Sequence, residues 1–216
     1  EIQIPLGEDT IAQATNNISF FGNLNAAEAV KVIEEGEGNV ETTKYIIETE
    51  ECKYDTHVYD SQGNSHALTF TFKKALNEGF EYDNPGNSKP TDPLAKLNEW
   101  TYTVSFTGDK TEEGWNCGGT ICFTTDGRFD VEKSKIKPFT ITFSNDSKVG
   151  AETLTITPDF SALTQLAMPS SVSLKEQDGF HPGELATFNI EATGRITGTY
   201  TNGMVRPLGQ LALASF

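Results

Sequence analysis

Apolar and polar residues alternate with a period of two over several separate stretches of the chain. The clearest are residues 68–72 and 100–106, where large apolar side chains alternate with threonine or serine. A period of two places successive side chains on opposite faces of a β-strand. Residues 139–143 and 196–201 repeat the pattern, and no long amphipathic helix is predicted between these stretches. The spacing of short strands therefore predicts an all-β fold, with sandwich-like or barrel-like domains.

Turn residues separate these stretches. The sequence Asp-Ser-Gln-Gly-Asn at residues 60–64 predicts a hairpin turn, because Asp can accept a hydrogen bond from the backbone two residues later and Gly can supply a positive φ. Residues 125–128 contain Asp-Gly and predict a second turn. The dipeptide Asn202-Gly203 favours a two-residue hairpin turn, with residues 208–213 as the return strand.

The sequence also predicts elements outside these alternating stretches. Residues 2–6 are a candidate strand, residues 17–25 a strand that ends in a turn, and residues 26–35 a short helix. The acidic stretch 28–52 predicts a charged exposed loop, and the proline-containing stretch 78–98 a surface loop.

Three further expectations concern the later part of the chain. Residues 115–123 predict a hairpin that turns at Gly118-Gly119. Residues 159–166 predict a short helical turn capped by Asp159. Residues 168–171 predict an extended link back toward the opening segment.

The charge of the chain limits its partners. Its 216 residues carry a formal net charge of −15 with a pI of about 4.5. Nucleic acids and anionic membrane surfaces select basic patches, so neither is an expected partner. No apolar run approaches the roughly 20 residues of a membrane span, and no membrane partner is predicted. Because residue 1 is Glu, the chain is expected to be an excerpt of a longer protein.

The sequence gives little support for a metal site or for a disulfide. The acids between residues 28 and 51 lack the ligand order of an EF-hand loop. His57 and His66 flank a predicted hairpin, but no third ligand follows at zinc spacing. Cys52, Cys117 and Cys122 are an odd number, so at least one thiol is unpaired within the chain. A Cys117–Cys122 disulfide and free thiols both stay open; no metal site and no cofactor is predicted.

No catalytic constellation is recognisable either. The sequence has no Gly-x-Ser-x-Gly elbow and no glycine-rich phosphate loop. His181 precedes Pro182-Gly183 and is expected in a surface turn. The aromatic stripe that begins at Trp100 is typical of the core face of a strand, and an exposed Trp100 or Trp115 would instead favour sugar binding. The chain is therefore not predicted to be an enzyme.

Four spaced motifs carry a resemblance to a known family. They are Phe-Gly-Asn-Leu-Asn at residues 21–25, Val-Tyr-Asp-Ser-x-Gly-Asn-x-His-x-Leu at residues 58–68, Asp-Phe-Ser-x-Leu-Thr-Gln at residues 159–165, and the C-terminal stretch from Asp178-Gly179-Phe180 to Phe216. Together they make the chain similar to bacterial flagellar hook proteins. Rod proteins of the same axial family are similar over the last motif alone.

The resemblance implies a fold and a function. It implies an outer β domain at residues 19–167, inserted into an inner β domain formed by residues 1–18 and 168–216. It further implies a structural subunit of the extracellular hook, exported by the flagellar secretion apparatus. The expected partners are other hook subunits and the rod, hook-cap and hook–filament junction proteins. The hairpin tips at residues 61–64 and 126–128 are expected on or near contact surfaces between subunits.

The alternative from another class is a secreted carbohydrate-binding or adhesive β module. The stretches 28–52 and 76–98 match no family motif and leave their roles open.

Overall fold

The computed structural model describes residues 10–28, 30–35, 44–76, 95–106, 117–143 and 153–211. Every helix or strand in these ranges is a β-strand, which confirms the all-β prediction. The strands are, in chain order, β1 (Thr10–Gln13), β2 (Asn17–Asn23), β3 (Val30–Glu35), β4 (Lys44–Thr49), β5 (Cys52–Tyr59), β6 (Ser65–Leu76), β7 (Ala95–Phe106), β8 (Cys117–Cys122), β9 (Phe139–Thr142), β10 (Thr153–Thr164), β11 (Ser171–Gln177), β12 (Phe180–Ile190), β13 (Arg195–Tyr200) and β14 (Val205–Gln210).

Two four-stranded sheets form a sandwich. One has the strand order β11-β2-β10-β9 and the other the order β5-β6-β7-β8. The second sheet is antiparallel throughout, whereas β2 and β10 of the first sheet run parallel. Parallel neighbours require a long crossover connection. Here the chain leaves β2, builds the whole second sheet, and returns to lie beside β2 as β10.

The core lies between these two sheets. Its largest fully buried side chains include Trp100, Tyr102, Phe20, Phe70 and Phe160. Phe20 of β2 contacts Phe70 of β6 with ring centroids 4.6 Å apart, and Phe160 of β10 contacts Tyr102 of β7 at 4.8 Å. These residues occupy alternate positions on their strands, so the period of two seen in the sequence is the inward face of each sheet.

A third sheet stands beside the sandwich. It has the order β1-β12-β13-β14 and is called the small sheet below. Leu185, Tyr200 and Met204 are buried on it, and Ile11 and Leu208 pack against them. This apolar cluster is separate from the sandwich core.

The strands predicted from alternating apolar and polar residues, and the turns predicted between them, are confirmed. The hairpin of β5 and β6 turns at residues 60–64, where Gly63 has a φ of 83°. The turns at Gly127 and Gly203 also use positive φ, at 80° and 85°. The return strand β14 covers Val205–Gln210, three residues earlier than the predicted start at Leu208. The predicted strand at residues 2–6 lies outside the described residues.

The predicted helix at residues 26–35 and the predicted loop at residues 28–52 are wrong over their described parts, since residues 29 and 36–43 lie outside the described residues. Residues 30–35 and 44–49 pair as the antiparallel hairpin of β3 and β4, with Val32 opposite Ile47 and Ile33 opposite Ile46. β-branched residues lose side-chain freedom in a helix and fit a paired strand better. The predicted loop at residues 78–98 lies outside the described residues up to residue 94, and from Ala95 onward the chain is already β7.

The predicted hairpin at residues 115–123 is wrong over its described part. Residues 117–122 form one strand, β8, along β7, with Gly118 opposite Thr103 and Gly119 opposite Tyr102. Neither glycine makes a turn. A Cβ on Gly119 would lie 2.1 Å from the carbonyl oxygen of Lys135, so glycine is needed there for the close approach of a neighbouring backbone.

The predicted helical turn at residues 159–166 is also wrong. Residues 159–164 continue β10, with Asp159 opposite Ser19 and Leu163 opposite Gly22. Asp159 does act as a local cap, because its carboxylate accepts hydrogen bonds from the backbone N–H of Ser161 at 2.9 Å and from the Ser161 hydroxyl at 3.0 Å. The register of β10 against β2 shifts between Asp159 and Ala162. The capping signal marks this β-bulge, not a helix.

Candidate functional site at the junction of the sandwich and the small sheet

Two stretches of chain connect the small sheet to the sandwich. Residues 14–16 lead from β1 into β2, and residues 178–179 lead from β11 into β12. The β5–β6 turn at residues 60–64 adds a third contact, described below. We call these three segments together the junction.

Asp178 fastens the two connecting stretches to each other. Its carboxylate accepts hydrogen bonds from the backbone N–H groups of Asn16 and Asn17, at 2.7 and 2.9 Å, and from the side-chain amide of Asn17 at 2.8 Å. The side-chain amide of Gln13 donates to the carbonyl oxygen of Asp178 at 2.6 Å. A carboxylate that receives several N–H donors makes stronger bonds than a neutral acceptor. The connections therefore cannot separate without breaking this cluster.

Thr15 ties the connecting stretch to the second sheet of the sandwich. It is fully buried. Its backbone N–H donates to the carbonyl oxygen of Tyr59 at 2.8 Å, and its hydroxyl accepts from the backbone N–H of Tyr59 at 2.9 Å. Gly179 lies directly against it, since a Cβ there would come within 1.9 Å of the Thr15 hydroxyl oxygen. The two connections and the end of β5 are thus in direct contact.

Asp60 organises the turn that follows β5. It is fully buried, and its carboxylate accepts hydrogen bonds from the backbone N–H groups of Gln62 and Asn64, at 2.8 and 2.9 Å, and from the Asn64 side-chain amide at 2.9 Å. His66 Nε2 lies 3.0 Å from the same carboxylate. Burial by itself favours the neutral acid, but the hydrogen bonds from His66 and Asn64 outweigh it, and the pKa of Asp60 lies below its ordinary value.

The same turn packs against the small sheet. A Cβ on Gly63 would lie 2.5 Å from Cδ of Pro182 and 2.8 Å from Cβ of Ala12. The tip predicted to lie at a contact surface between subunits is thus occupied in part by a contact within the chain. Ser61, Gln62 and Asn64 are exposed beside that contact.

Two further polar residues of the sequence motifs, Asn23 and Gln165, stabilise the opposite end of the sandwich. The Asn23 amide nitrogen donates to the carbonyl oxygens of Leu166 and Met168, at 3.2 and 3.0 Å, and its oxygen accepts from the backbone N–H of Leu166 at 2.8 Å. The Gln165 side-chain oxygen accepts from the indole N–H of Trp100 at 3.1 Å. Each of these side chains satisfies buried groups of the fold.

The histidines that the sequence offered as candidate metal ligands do not lie together in the structure. His57 is exposed, whereas His66 is buried against the Phe143 ring with centroids 4.4 Å apart. His181 is exposed, but it lies in β12 and not in a turn. Among the described residues there is no group of three or more His, Cys, Asp or Glu side chains placed to hold a metal ion.

The three cysteines are free thiols. Burial raises the pKa of each, so none of them has the lowered pKa of a reactive thiolate. Trp100 is 1% exposed and cannot present a ring face to a sugar. Trp115 lies outside the described residues. Within the described ranges, no helix is long and apolar enough to cross a bilayer.

The sequence motifs include the junction residues Asp60 and Asp178 but not Thr15, and they did not predict that these residues lie together. Asp60 and Asp178 lie in motifs that are more than a hundred residues apart in the chain. In the sequence, Asp178 is recognisable only as the residue before a glycine. Nothing there predicts that it binds Asn16 and Asn17, because these partners lie at the other end of the sequence.

The fold and the junction define an all-β protein in which Thr15, Asp60 and Asp178 hold two β units together. Residues 23–180 match the family model described as "Flagellar basal body protein FlaE D2 domain". Because this match covers well over half of the chain, the chain belongs to that family.

Similar whole proteins carry the name flagellar hook protein FlgE. The chain is 27% identical over 234 residues to the one from Borreliella burgdorferi and 26% identical over 238 residues to the one from Treponema pallidum. Both alignments cover 100% of this chain, and they cover 46% and 48% of the two relatives. The chain therefore spans about half the length of these curated relatives.

Two more comparisons cover part of the chain. The flagellar hook protein FlgE of Salmonella typhimurium is 29% identical over 161 residues, which is 74% of this chain and 34% of that protein. Among solved structures, the crystal structure of Helicobacter pylori flagellar hook protein FlgE2 aligns with a TM-score of 0.48 at 20% identity, over 78% of this chain and 34% of that one.

Proposed function

We propose that the chain is part of a structural subunit of the bacterial flagellar hook. In this role it polymerises with other copies into the extracellular tube that transmits torque from the rod to the filament, and the flagellar secretion apparatus exports it. The observation that carries the proposal is the alignment of the whole chain with two flagellar hook proteins, together with the family match over residues 23–180.

The architecture supports a mechanical role. The polar junction residues Asp60, Thr15 and Asp178 are engaged with backbone and side-chain groups of the protein itself. A subunit that carries load between neighbours needs such fixed connections between its parts. We therefore propose a structural role without catalysis. The further partners would be the rod, hook-cap and hook–filament junction proteins.

The proposed domain division follows the two apolar clusters. We propose an outer domain that corresponds to the sandwich and an inner domain that contains the small sheet. The sequence-based boundaries are residues 1–18, 19–167 and 168–216. The packing supports an outer domain that is longer at both ends than residues 19–167 and reaches the junction. Ile18 of β2 and Val172 of β11 lie outside that range, yet both belong to the sandwich core.

A genetic experiment tests the function. We expect that deletion of the gene for the full-length protein yields non-motile cells whose basal bodies carry no hooks in electron micrographs. Expression of the full-length gene should restore both hooks and motility. Intact hooks in the deletion strain would exclude the proposal.

A further inference from the structure

Charged residues are distributed unequally between the two edges of the sandwich. In the second sheet β5 and β8 are opposite edge strands, separated by β6 and β7. Three strand spacings of about 4.8 Å place these edges roughly 14 Å apart. β11, an edge strand of the first sheet, lies next to β5. The sandwich therefore has one side at β5 and β11 and another side at β8.

The side at β8 carries a short run of lysines, which follows Asp130 and Glu132. Lys133, Lys135 and Lys137 are exposed on the segment that runs along β8. Lys135 exchanges two backbone hydrogen bonds with Thr120 of β8, at 2.8 and 3.1 Å, which fixes the position of the segment. Lys133 pairs with Asp130 at 3.3 Å, whereas Lys135 and Lys137 form no ion pair with any described residue. We call residues 133–137 the lysine edge.

The side at β5 and β11 is acidic. A hollow of about 350 Å³ on the outer face of the first sheet reaches from β11 across β2 to β10. It is lined by Asp159, Glu176 and Asp178, with no basic residue in its lining. A second hollow, of about 440 Å³, lies where β5 and β11 begin, and its lining includes Glu28 and Glu50. We call these five carboxylates the acidic edge.

Positive charge near the acidic edge is partly neutralised: Lys73 pairs with Glu51, whereas Lys175 of β11 is exposed beside Glu176. Lys53 lines the second hollow, but it pairs with Glu51 at 2.6 Å. Burial, followed by a hydrogen bond to Glu50 and repulsion from it, raises the pKa of Glu28. A cation brought to this side by another molecule would reduce that repulsion.

We propose that the lysine edge of one copy docks against the acidic edge of a second copy of this chain. The proposal rests on the proposed function and specifies the surfaces of its self-assembly. Copies with a net charge of −15 repel one another, so a stable contact needs local charges of opposite sign. Because the two edges lie on opposite sides of the sandwich, the contact is heterologous, and repeated contacts of this kind build rings or open helical assemblies.

Sedimentation velocity of this chain tests the contact. The chain should self-associate weakly in salt of about 20 mM and less in about 500 mM, because salt screens contacts between exposed charges. The variant Lys135→Glu/Lys137→Glu should lower the association constant about tenfold, since exposed pairs contribute modestly. The control Arg195→Glu/Arg206→Glu makes the same charge change on exposed positions of the small sheet and should associate more strongly than the lysine-edge variant.

A charge exchange makes the test specific. The variant Glu50→Lys/Glu176→Lys should also associate less than the wild type, whereas an equimolar mixture of it with Lys135→Glu/Lys137→Glu should recover association. The proposal is wrong if the wild type remains monomeric in low salt, if the arginine variant loses as much association as the lysine variant, or if the mixture does not recover. Circular dichroism of each variant ensures that a loss of association is not a loss of folding.

The two sets of experiments distinguish a failure of the edge contact from a failure of the proposed hook function. If the full-length gene restores hooks in the deletion strain but the lysine-edge variant associates like the wild type, the edge contact is wrong and the hook function stands. If the deletion strain keeps its hooks, the function is wrong whatever the chain does in sedimentation.

Discussion

The carboxylate of Asp178 accepts hydrogen bonds from both the backbone N–H and the side-chain amide of Asn17, at 2.9 and 2.8 Å, although the two residues are 161 positions apart. This pair joins the chain entering the sandwich to the chain leaving it. The junction is thus closed by side-chain chemistry as well as by chain connectivity.

Asp178→Ala should therefore loosen the junction. Loss of bonds to a charged acceptor should lower the free energy of unfolding by about 2 kcal/mol. Limited proteolysis should also cut residues 13–17 faster than in the wild type. The control is Asp55→Ala, which removes an exposed carboxylate bonded to the Thr69 hydroxyl and should change stability by less than about 0.5 kcal/mol. Equal effects of the two substitutions would contradict the clamp.

Gly63→Ala should destabilise the protein more than Gly203→Ala. Both glycines have nearly the same φ, 83° and 85°, so the backbone strain of an alanine is similar at the two positions. A Cβ at Gly63 would meet Pro182 and Ala12, whereas none lies within 4 Å at Gly203. The strain should cost about 1 kcal/mol in each variant, and the collision should cost Gly63→Ala about 1–3 kcal/mol more. Denaturant unfolding measures the difference, and equal losses would mean that the turn does not press on the small sheet.

Asp60→Asn should reduce the acid sensitivity of the fold. Because the folded-state pKa of Asp60 lies below its ordinary value of 3.8, the ionised carboxylate stabilises the fold above that value. This contribution is lost as the pH falls through the folded-state pKa. The variant should be about 2–3 kcal/mol less stable than the wild type near neutral pH, and the gap should narrow toward about pH 3.

Unfolding curves across this pH range check the prediction. Asp55→Asn serves as the exposed control, and its stability difference from the wild type should change less over the same range. A gap between Asp60→Asn and the wild type that stays constant with pH would contradict the role of the ionised carboxylate.

Gln165→Leu should destabilise the sandwich through Trp100. The substitution leaves the buried indole N–H without its acceptor, which should cost about 1–3 kcal/mol. In a Trp100→Phe background the same substitution should cost about 1 kcal/mol less, because the shared hydrogen bond is already gone. Thermal or denaturant unfolding of the four proteins gives this coupling, and additive losses would contradict it. Gln210→Leu, at an exposed position, is the matched control.

Strand positions were largely predictable from the sequence, whereas their partners were not. The alternation at Trp100, Tyr102 and Val104 predicts an inward face, and all three residues are buried. Nothing in residues 17–23 and 153–164 predicts that they pair in parallel, because a backbone ladder can form between any two strands.

The wrong predictions have a common cause. Gly118-Gly119 is a local signal of a turn, and Asp159 is a local signal of a helix cap. In the structure all three residues lie within β-strands instead. Gly119 admits the backbone of Lys135, Gly118 admits the backbone of Tyr102, and Asp159 caps a bulge inside β10. Tertiary packing decided between local conformations that the sequence alone left close in energy.

The sequence by itself determined the all-β class, the inward faces of the strands and the turns at Gly63, Gly127 and Gly203, because these depend on side-chain period and local backbone chemistry. The tertiary structure decided that Asp178, Thr15 and the Asp60 turn meet at one junction. It also decided that the lysines and the carboxylates lie on opposite sides of the sandwich. Both arrangements depend on contacts between residues distant in sequence, and those are fixed only when the sheets pack.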